Sequence, residues 1–398
     1  MDRAIAITGL GIISNLGFNS QDYWENRKSK QNKSSEITTF DTANLKARKA
    51  YPISNFEPKA FIERRFIKPL DQVTKFCISG SGMAIKDAKL ENTDKTRVGL
   101  VAGSKYHGIY SIFNIKETYH QGGVDEVSPV FFPGTVFNAS GAQAAIEWKL
   151  TGPNCTVNTG MASGLTAIIK GVEYLLLDKA TAMISGGNEM LFEYTMNKYD
   201  RLDRLSCGEN DEEQCRPFDE RRNGMMLGEG ACYFSLESTE SAQKRQVPVY
   251  AEIINYSYNY NPDEDSICES FIDCMQQALM VNGEKYNEKI DLIVADGCGD
   301  LQLDMIMAKA IQATFNHNPF ITSNKGCLGH TLGASGAFNL LDGVLCIQNQ
   351  AILPVQNLFD PILPINFVTE FKETTVKNVL ITSFDPDGNN ACVLLRKA

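Results

Sequence analysis

The residues best placed to do chemistry lie at positions 150–164, where a short strand turns sharply into a helix of small side chains. Such a turn presents residue 161 at a helix N-terminus, where free backbone N–H groups and the helix dipole lower the pKa of a thiol. An enzyme would place its nucleophile at this elbow. This chain has Met161, whose thioether has no proton to lose.

Other motifs for catalysis or phosphate binding are incomplete. Gly9-Leu10-Gly11 follows a strand, as in a dinucleotide-binding loop, but position 14 is serine instead of the third glycine. The chain has no phosphate loop of the form G-x-x-x-x-G-K-S/T, and Ser163 comes one place late for a G-x-S-x-G elbow. We therefore predict neither a nucleotide site nor a serine hydrolase.

The composition excludes several classes of protein. The chain has 398 residues, 43% of them hydrophobic, and its net charge of −10 argues against nucleic acid as the main partner. Its 11 cysteines and 4 histidines lack ligand spacing, so we expect no metal site and no disulfide framework. Neither a membrane span of about 18 to 20 apolar residues nor a signal peptide is evident. We expect a cytoplasmic protein.

The elements that must position the elbow alternate between strands and helices, which indicates an α/β fold. Predicted strands are Arg3–Ile7, Arg97–Ala102, Cys155–Asn158, Ala182–Ser185, Ala231–Leu236, Val249–Asn255, Ile290–Ala295, Phe320–Thr322, Val379–Thr382 and Cys392–Leu395. Predicted helices are Gln72–Ala88, Ala162–Leu177, Ser266–Val281, Leu303–Phe315 and Ser335–Gln348.

The chain also shows a loose internal repeat. A strand, a helix, a glycine turn leading into a helix, and a further strand occur once in each half. Ordinary α/β alternation is the alternative explanation, but we favour duplication. We place the halves at residues 1–245 and 246–398, with the polar stretch Thr239–Val247 as their junction.

The elbow is one of several ordered blocks that indicate a family. These blocks are Ile7–Gly17, Leu150–Gly164, Ile184–Glu189, Arg216–Gly224, Gly228–Ala231, Lys325–Gly336 and the pair Ser383-Phe384. Together they resemble the β-ketoacyl synthases, the condensing enzymes of fatty acid and polyketide synthesis. The resemblance implies a thiolase-like fold, in which two similar α/β halves form a five-layer αβαβα sandwich. It implies no cofactor.

The departures from this family concern the reaction itself. Family members that condense carry Cys at the position of Met161, and Asp296 stands where the first catalytic His falls. The second His and a nearby Lys are matched by His330 and Lys325. The Gly-Phe-Gly-Gly turn of the family is replaced by Asp385-Pro386-Asp387-Gly388, where proline restricts a loop that usually gates the pocket.

These losses predict no useful condensation, because removing a nucleophile alone costs on the order of 10⁶ in kcat. His330 and Lys325 are then either catalytic relics or, as we prefer, core residues paired with local carbonyls. An alternative nucleophile is the less favoured hypothesis, with Cys298 and Cys327 as its candidates and Cys155 expected to point into the strand. We expect no catalytic residue in this chain.

Type II polyketide synthases pair an active ketosynthase with an inactive homologue, the chain-length factor, and this chain resembles that partner. The resemblance implies a heterodimer whose interface tunnel holds the growing polyketide chain. Residues at the position of the chain-length gate are His107, Tyr110, Ile112 and Phe113. Residues at the position of the segment that crosses the interface are Phe131, Phe132, Phe137 and Asn138, for which ordinary core packing is the alternative.

The acyl carrier protein is a further implied partner. It is strongly acidic, so we expect it to dock mainly on the ketosynthase, and Arg64, Arg65 and Lys68 are the local candidates here. Two other functions stay open. One is a malonyl-carrier-protein decarboxylase that primes chains, which Asp296 argues against. The other is a free-standing pseudoenzyme homodimer that binds an acyl ligand.

Overall fold

One long mixed sheet forms the frame of the molecule. The computed structural model describes residues 4–30, 33–62, 67, 70–208 and 213–398, and in these residues ten strands pair in one sheet. The strands are β1 Ile5–Ile13, β2 Val98–Gly103, β3 Asn154–Val157, β4 Ala182–Glu189, β5 Gly230–Ser238, β6 Ala251–Tyr260, β7 Leu292–Val294, β8 Phe320–Thr322, β9 Asn378–Phe384 and β10 Asn389–Arg396. Each predicted strand overlaps one of them, so all ten predictions are confirmed.

The sheet consists of two series of five strands with the same order. The order is β3-β2-β4-β5-β1 in the first half and β8-β7-β9-β10-β6 in the second. In both halves the first three strands in that order are parallel and the last two pairings are antiparallel. The halves meet where Ile5–Ile7 pairs antiparallel with Ala251–Ile253. The division of the chain at residue 245 stays a prediction.

Eleven α-helices are present in the described residues. They are α1 Ser20–Lys28, α2 Gln72–Asp87, α3 Ile109–Gly122, α4 Ala139–Trp148, α5 Ser163–Leu176, α6 Glu193–Arg201, α7 Thr239–Arg245, α8 Ile267–Ala278, α9 Leu301–Thr314, α10 Lys325–Leu328 and α11 Ser335–Asn349. Short two-stranded pairs join Ser35–Glu36 to Lys49–Ala50, Met280–Val281 to Glu284–Lys285, and Ala351–Ile352 to Lys372–Glu373.

The helices form three layers around the two halves of the sheet. α5 and α11 lie in the middle, pack against each other and contact strands of both halves. α2 and α4 cover the outer side of the first half, and α8 and α9 cover the outer side of the second. This arrangement is the expected five-layer sandwich, and it explains why the side chains of β1 are buried on both faces.

The structure explains the incomplete dinucleotide motif. A Cβ at Gly9 or Gly11 would collide with the backbone of α2 at Ala84 and Gly80. The two glycines therefore let a helix approach β1 closely, and their spacing reflects packing instead of phosphate binding.

The predicted junction at Thr239–Val247 contains α7, a short helix whose N-cap is the Ser238 side chain. Polar composition hid this helix, as it hid α1, in which Tyr23, Trp24 and Arg27 are nevertheless buried. In the described part of the chain, no helix is both long and apolar enough to cross a bilayer.

Candidate active-site elbow and aromatic cleft

The elbow forms where β3 leads into α5. A single 3₁₀ turn over Gly160–Ala162 joins them, and Gly160 takes the left-handed conformation with φ +62°. Met161 follows and is buried in an apolar cluster with Leu332 and Phe384. The structure thus places residue 161 at the start of α5 as predicted, but its side chain packs as a core residue.

A carboxylate from a distant part of the chain occupies the elbow. The backbone N–H of Met161 donates to Oδ2 of Asp385 at 2.6 Å, and Lys105 Nζ donates to the same oxygen at 2.8 Å. Asp385 is fully buried and Lys105 is 9% exposed. Burial lowers the pKa of Lys105, but the facing Asp385 carboxylate outweighs it and the net pKa is raised. The elbow N–H is therefore already paired with negative charge.

Asp296, at the position of the first histidine, lies in a second buried network. Its carboxylate forms a buried ion pair with Lys325. It also accepts from Asn339 Nδ2 at 2.6 Å and from the Phe384 N–H at 3.0 Å. Lys325 donates further to the Asp296 carbonyl at 2.9 Å. These donors take up both carboxylate oxygens of Asp296, and Lys325 serves as its counter-ion.

His330 is buried as a neutral imidazole. Its Nδ1 accepts from the Leu332 N–H at 3.1 Å, which assigns the ring proton to Nε2. Burial, together with the nearby charges of Lys325 and Lys105, holds the pKa of His330 well below its usual value. The retained histidine therefore keeps a donor-bearing Nε2 next to an elbow that has lost its nucleophile.

Glu189 is a residue of this site that the sequence did not single out. Its Oε2 accepts from the backbone N–H groups of Lys105 at 2.7 Å, Tyr106 at 3.3 Å and Gly333 at 3.2 Å. Burial raises its pKa to about 7, in spite of these hydrogen bonds. Glu189 thereby ties the end of β4 to segments of both halves. Lys105 and Asn339 were likewise missed, because each acts through a partner distant in sequence.

The cysteines proposed as alternative nucleophiles are unsuited to that role. Cys298 and Cys327 are buried, and burial raises the pKa of Cys298 well above its usual value and that of Cys327 to about 11. Cys327 donates its thiol to the Asn324 carbonyl at 3.1 Å. Cys155 is half-buried on β3. The buried thiols of Cys298 and Cys327 therefore stay protonated and are poor nucleophiles.

A broad cleft of about 1590 Å³ is lined largely by residues of α3, of α6 and of the segment just before α6, and Met161, Lys105 and Asp385 of the elbow are not among its lining residues. We call it the aromatic cleft, because Tyr110, Phe113, Phe131, Phe192 and Tyr194 line it. Phe113 packs on Tyr194 with ring centroids 4.8 Å apart, and Tyr110 meets Phe192 edge-on at 5.3 Å. The lining residues on α6 and just before it, Phe192 and Tyr194, were not predicted from the sequence.

The structure places two of the four predicted gate residues in the lining of the aromatic cleft and two outside it. Tyr110 and Phe113 line the aromatic cleft, whereas Ile112 is exposed elsewhere on α3 and is not among the lining residues. His107 is buried behind the cleft, where its Nε2 accepts from the Ser140 N–H at 3.1 Å. Burial lowers the pKa of His107, so its role in this position is that of a neutral core residue.

The predicted interface residues lie on an exposed apolar surface. Phe131, Phe132 and Asn138 are exposed, and half-buried Phe137 meets the His107 ring edge-on. We call this surface the apolar face; its exposed side chains are Ile112, Val124, Val130, Phe131, Phe132, Val136 and Ile146. It adjoins β3, which among the described residues pairs only with β2 and so forms an edge of the sheet. Arg64, Arg65 and Lys68 lie outside the described residues.

Comparison with known families covers most of the chain. Residues 2–242 match the family described as beta-ketoacyl synthase, N-terminal domain, and residues 250–359 match beta-ketoacyl synthase, C-terminal domain. A 3-oxoacyl-(acyl-carrier-protein) synthase 2 of Coxiella burnetii is 30% identical, with 99% of each chain covered. The protein of the same name from Rhizobium meliloti is 29% identical, also with 99% of each chain covered.

Solved structures give the same result for the fold. The ishigamide ketosynthase/chain length factor superposes with a TM-score of 0.90 at 25% identity, covering 100% of this chain and 99% of that one. A beta-ketoacyl synthase from Burkholderia phymatum superposes with a TM-score of 0.91 at 25% identity, with 100% of both chains covered. The similarity extends over both halves of the sheet.

Proposed function

Because this chain belongs to the beta-ketoacyl synthase family, we propose that it is a non-catalytic member, the chain-length factor of a type II polyketide synthase. In this function it pairs with a Cys-bearing ketosynthase and shapes the interface tunnel that sets polyketide chain length. One observation carries the proposal: the elbow has Met161 in place of a nucleophile, and Asp385 takes up its N–H. The relatives from Coxiella burnetii and Rhizobium meliloti bear the names of synthases, and we attribute the proposed loss of that activity in this chain to Met161 and Asp385.

The apolar face supports a partner subunit. Phe132 and Val130 are 67% and 59% exposed, and a cluster of exposed apolar side chains beside a sheet edge is typical of an association site. The proposed partner is a homologous ketosynthase, since a chain with the same fold brings an equivalent edge and face. Phe131 is shared between the apolar face and the aromatic cleft, so a partner bound there would also close one side of the cleft.

The aromatic cleft supports the role in chain length. Its wall includes Tyr110 and Phe113 on α3, and large side chains in these positions would limit how far a growing polyketide chain extends. Docking of the acyl carrier protein near Arg64, Arg65 and Lys68 and a cytoplasmic location remain predictions.

Co-expression with a Cys-bearing ketosynthase encoded beside this chain tests the proposal. We expect the two chains to copurify as a one-to-one heterodimer that makes a polyketide of defined length, and neither chain alone to make it. A soluble homodimer that never copurifies with such a ketosynthase would overturn the proposal and favour the free-standing acyl-binding pseudoenzyme.

The decarboxylase alternative rests on one observation, the neutral His330 with its proton on Nε2. It is weaker, because the position of the other histidine holds Asp296 in an ion pair with Lys325. The test is to incubate the purified chain with malonyl carrier protein and follow acetyl carrier protein by mass spectrometry. Production of acetyl carrier protein by this chain alone, lost in His330→Ala, would replace the non-catalytic function.

A further inference from the structure

The residue that fills the elbow comes from a rigid turn. Asp385 opens the four-residue turn between β9 and β10, in which the Gly388 N–H donates to the Asp385 carbonyl at 2.9 Å. The Asp387 N–H donates to Asp385 Oδ1, also at 2.9 Å. Asp, Pro and Gly at the first, second and fourth positions are the residues that such turns favour. The turn therefore fixes the direction in which the Asp385 carboxylate points.

The place where this carboxylate sits is shaped to receive it. A Cβ at Gly160 would overlap the Asp385 carboxylate, so the absence of a side chain at residue 160 leaves its space open. The Met161 N–H and the Lys105 ammonium converge on one oxygen, at 2.6 and 2.8 Å. Lys105 is itself nine-tenths buried and pairs with Asp387 at 3.6 Å as well. The elbow thus supplies a backbone donor and a buried cation to one negative group.

We propose that the elbow is an anion-binding site whose resident ligand is the chain's own Asp385 carboxylate, and that this contact excludes small carboxylates and acyl thioesters independently of Met161. The Met161 N–H, at the N-terminus of a helix, is a donor that could otherwise stabilise an oxyanion. Its hydrogen bond to Asp385 prevents this. Restoring a thiol at residue 161 would therefore not be enough to restore a reactive elbow. The inference does not depend on a partner subunit.

The first experiment removes the Asp385 carboxylate and tests whether an added carboxylate binds in its place. Asp385→Ala leaves the Met161 N–H and Lys105 without their shared partner, and we expect added formate or acetate to raise the melting temperature of this variant saturably. The wild-type protein and the control Asp387→Ala, which removes an exposed carboxylate from the same turn, should not respond in this way. Equal responses of all three proteins to these salts would overturn the proposal.

The second experiment measures the reactivity of the elbow. In Met161→Cys, the adjacent carboxylate keeps the introduced thiol protonated, so we expect slow alkylation by iodoacetamide. In Met161→Cys with Asp385→Ala, we expect alkylation of residue 161 at least about tenfold faster. In this reaction the thiolate sulfur displaces iodide from carbon, and the thiol proton passes to buffer. Peptide-resolved mass spectrometry separates this site from the native cysteines.

The Met161→Cys variant without a second substitution can overturn the proposal even if Asp385→Ala fails to fold. If the thiol introduced by Met161→Cys alone reacts as fast as free glutathione at the same pH, the carboxylate does not protect the elbow and the proposal is wrong. The proposal is supported if Met161→Cys reacts far more slowly than glutathione, and if Met161→Cys with Asp385→Ala reacts faster than Met161→Cys with Asp387→Ala. Neither measurement involves the ketosynthase, so the proposed function can fail without affecting this result.

Discussion

The elbow and the apolar face differ in how their side chains are accommodated. At the elbow Asp385, Asp296 and Glu189 are buried, and each finds its hydrogen-bond donors within the chain. On the apolar face, aromatic and aliphatic side chains such as Phe132 remain exposed. Charged residues at the elbow are thus paired with donors of the same chain. The apolar face, in contrast, can bury its side chains only by contact with another molecule. Substitutions at the elbow should therefore change folding stability, and substitutions on the face should change association.

The largest expected effect is at the buried ion pair. Lys325→Met leaves the Asp296 carboxylate without its counter-ion, so we expect a loss of about 3 to 5 kcal/mol in the free energy of unfolding. Urea denaturation measures it. Lys170→Met, which breaks a partly exposed pair with Glu173, is the control and should have a much smaller effect. Adding Asp296→Asn to Lys325→Met should recover part of the lost stability. Similar losses in Lys325→Met and Lys170→Met would show that the buried ion pair with Asp296 contributes no more than an exposed one.

The pH dependence of stability gives the next effect. The pKa of Glu189 is raised from 4.5 to about 7, so the native state holds a proton that the unfolded chain has released in this range. The contribution of protonated Glu189 to the free energy of unfolding is therefore fully present below about pH 4.5 and is lost as the pH rises to about 7. The pKa shift corresponds to about 3 kcal/mol.

The variant Glu189→Gln isolates this contribution. An amide oxygen can still accept from the Lys105, Tyr106 and Gly333 N–H groups, which all donate to one carboxylate oxygen. We expect the stability of the wild type to fall more steeply than that of the variant between pH 4.5 and 7, as measured by melting temperature. Parallel curves for the two proteins would show that Glu189 stays ionised in the fold.

The sequence predicted the frame of the molecule better than the contacts of its site. Strand positions followed from apolar runs between turns, and Met161 was placed at the start of α5 from the turn chemistry alone. The partners could not be derived, because they meet only through tertiary packing. Met161 and Asp385 are 224 residues apart, and the link between them is a backbone N–H, which has no sequence signature. A lone Lys105 gives no more signal than any other surface-type residue until the fold buries it.

The same limit applies to the cleft. The resemblance predicts that Tyr110 and Phe113 lie at the chain-length gate, but it does not tell which face of the helix looks into the cleft. The structure separates Phe113 from Ile112, which is 47% exposed. It also supplies Phe192 and Tyr194, which pack against Phe113 in the cleft lining and come from a segment with no predicted role.

An intermediate effect is expected on the apolar face. Phe132→Ser should leave the free energy of unfolding nearly unchanged. It should weaken association with the proposed ketosynthase partner at least about tenfold, or about 1.4 kcal/mol, because exposed aromatic anchors dominate such interfaces. Sedimentation of the mixed chains measures this affinity. Phe359→Ser is the matched control, since Phe359 is 76% exposed far along the chain and contacts Arg221. If both variants weaken association equally, the apolar face is not the interface.

The smallest effect, and the one that separates the two sides of α3, is a change in product length. Phe113→Ala shortens a side chain that lines the aromatic cleft against Phe192 and Tyr194. The proposed heterodimer should therefore make longer products, at a stability cost of about 1 kcal/mol. Ile112→Ala, one residue away and outside the cleft lining, should leave product length unchanged. Mass spectrometry of the extracted polyketides compares the two. If Ile112→Ala lengthens the product and Phe113→Ala does not, the chain grows past the opposite side of α3 and the aromatic cleft is not the end of the tunnel.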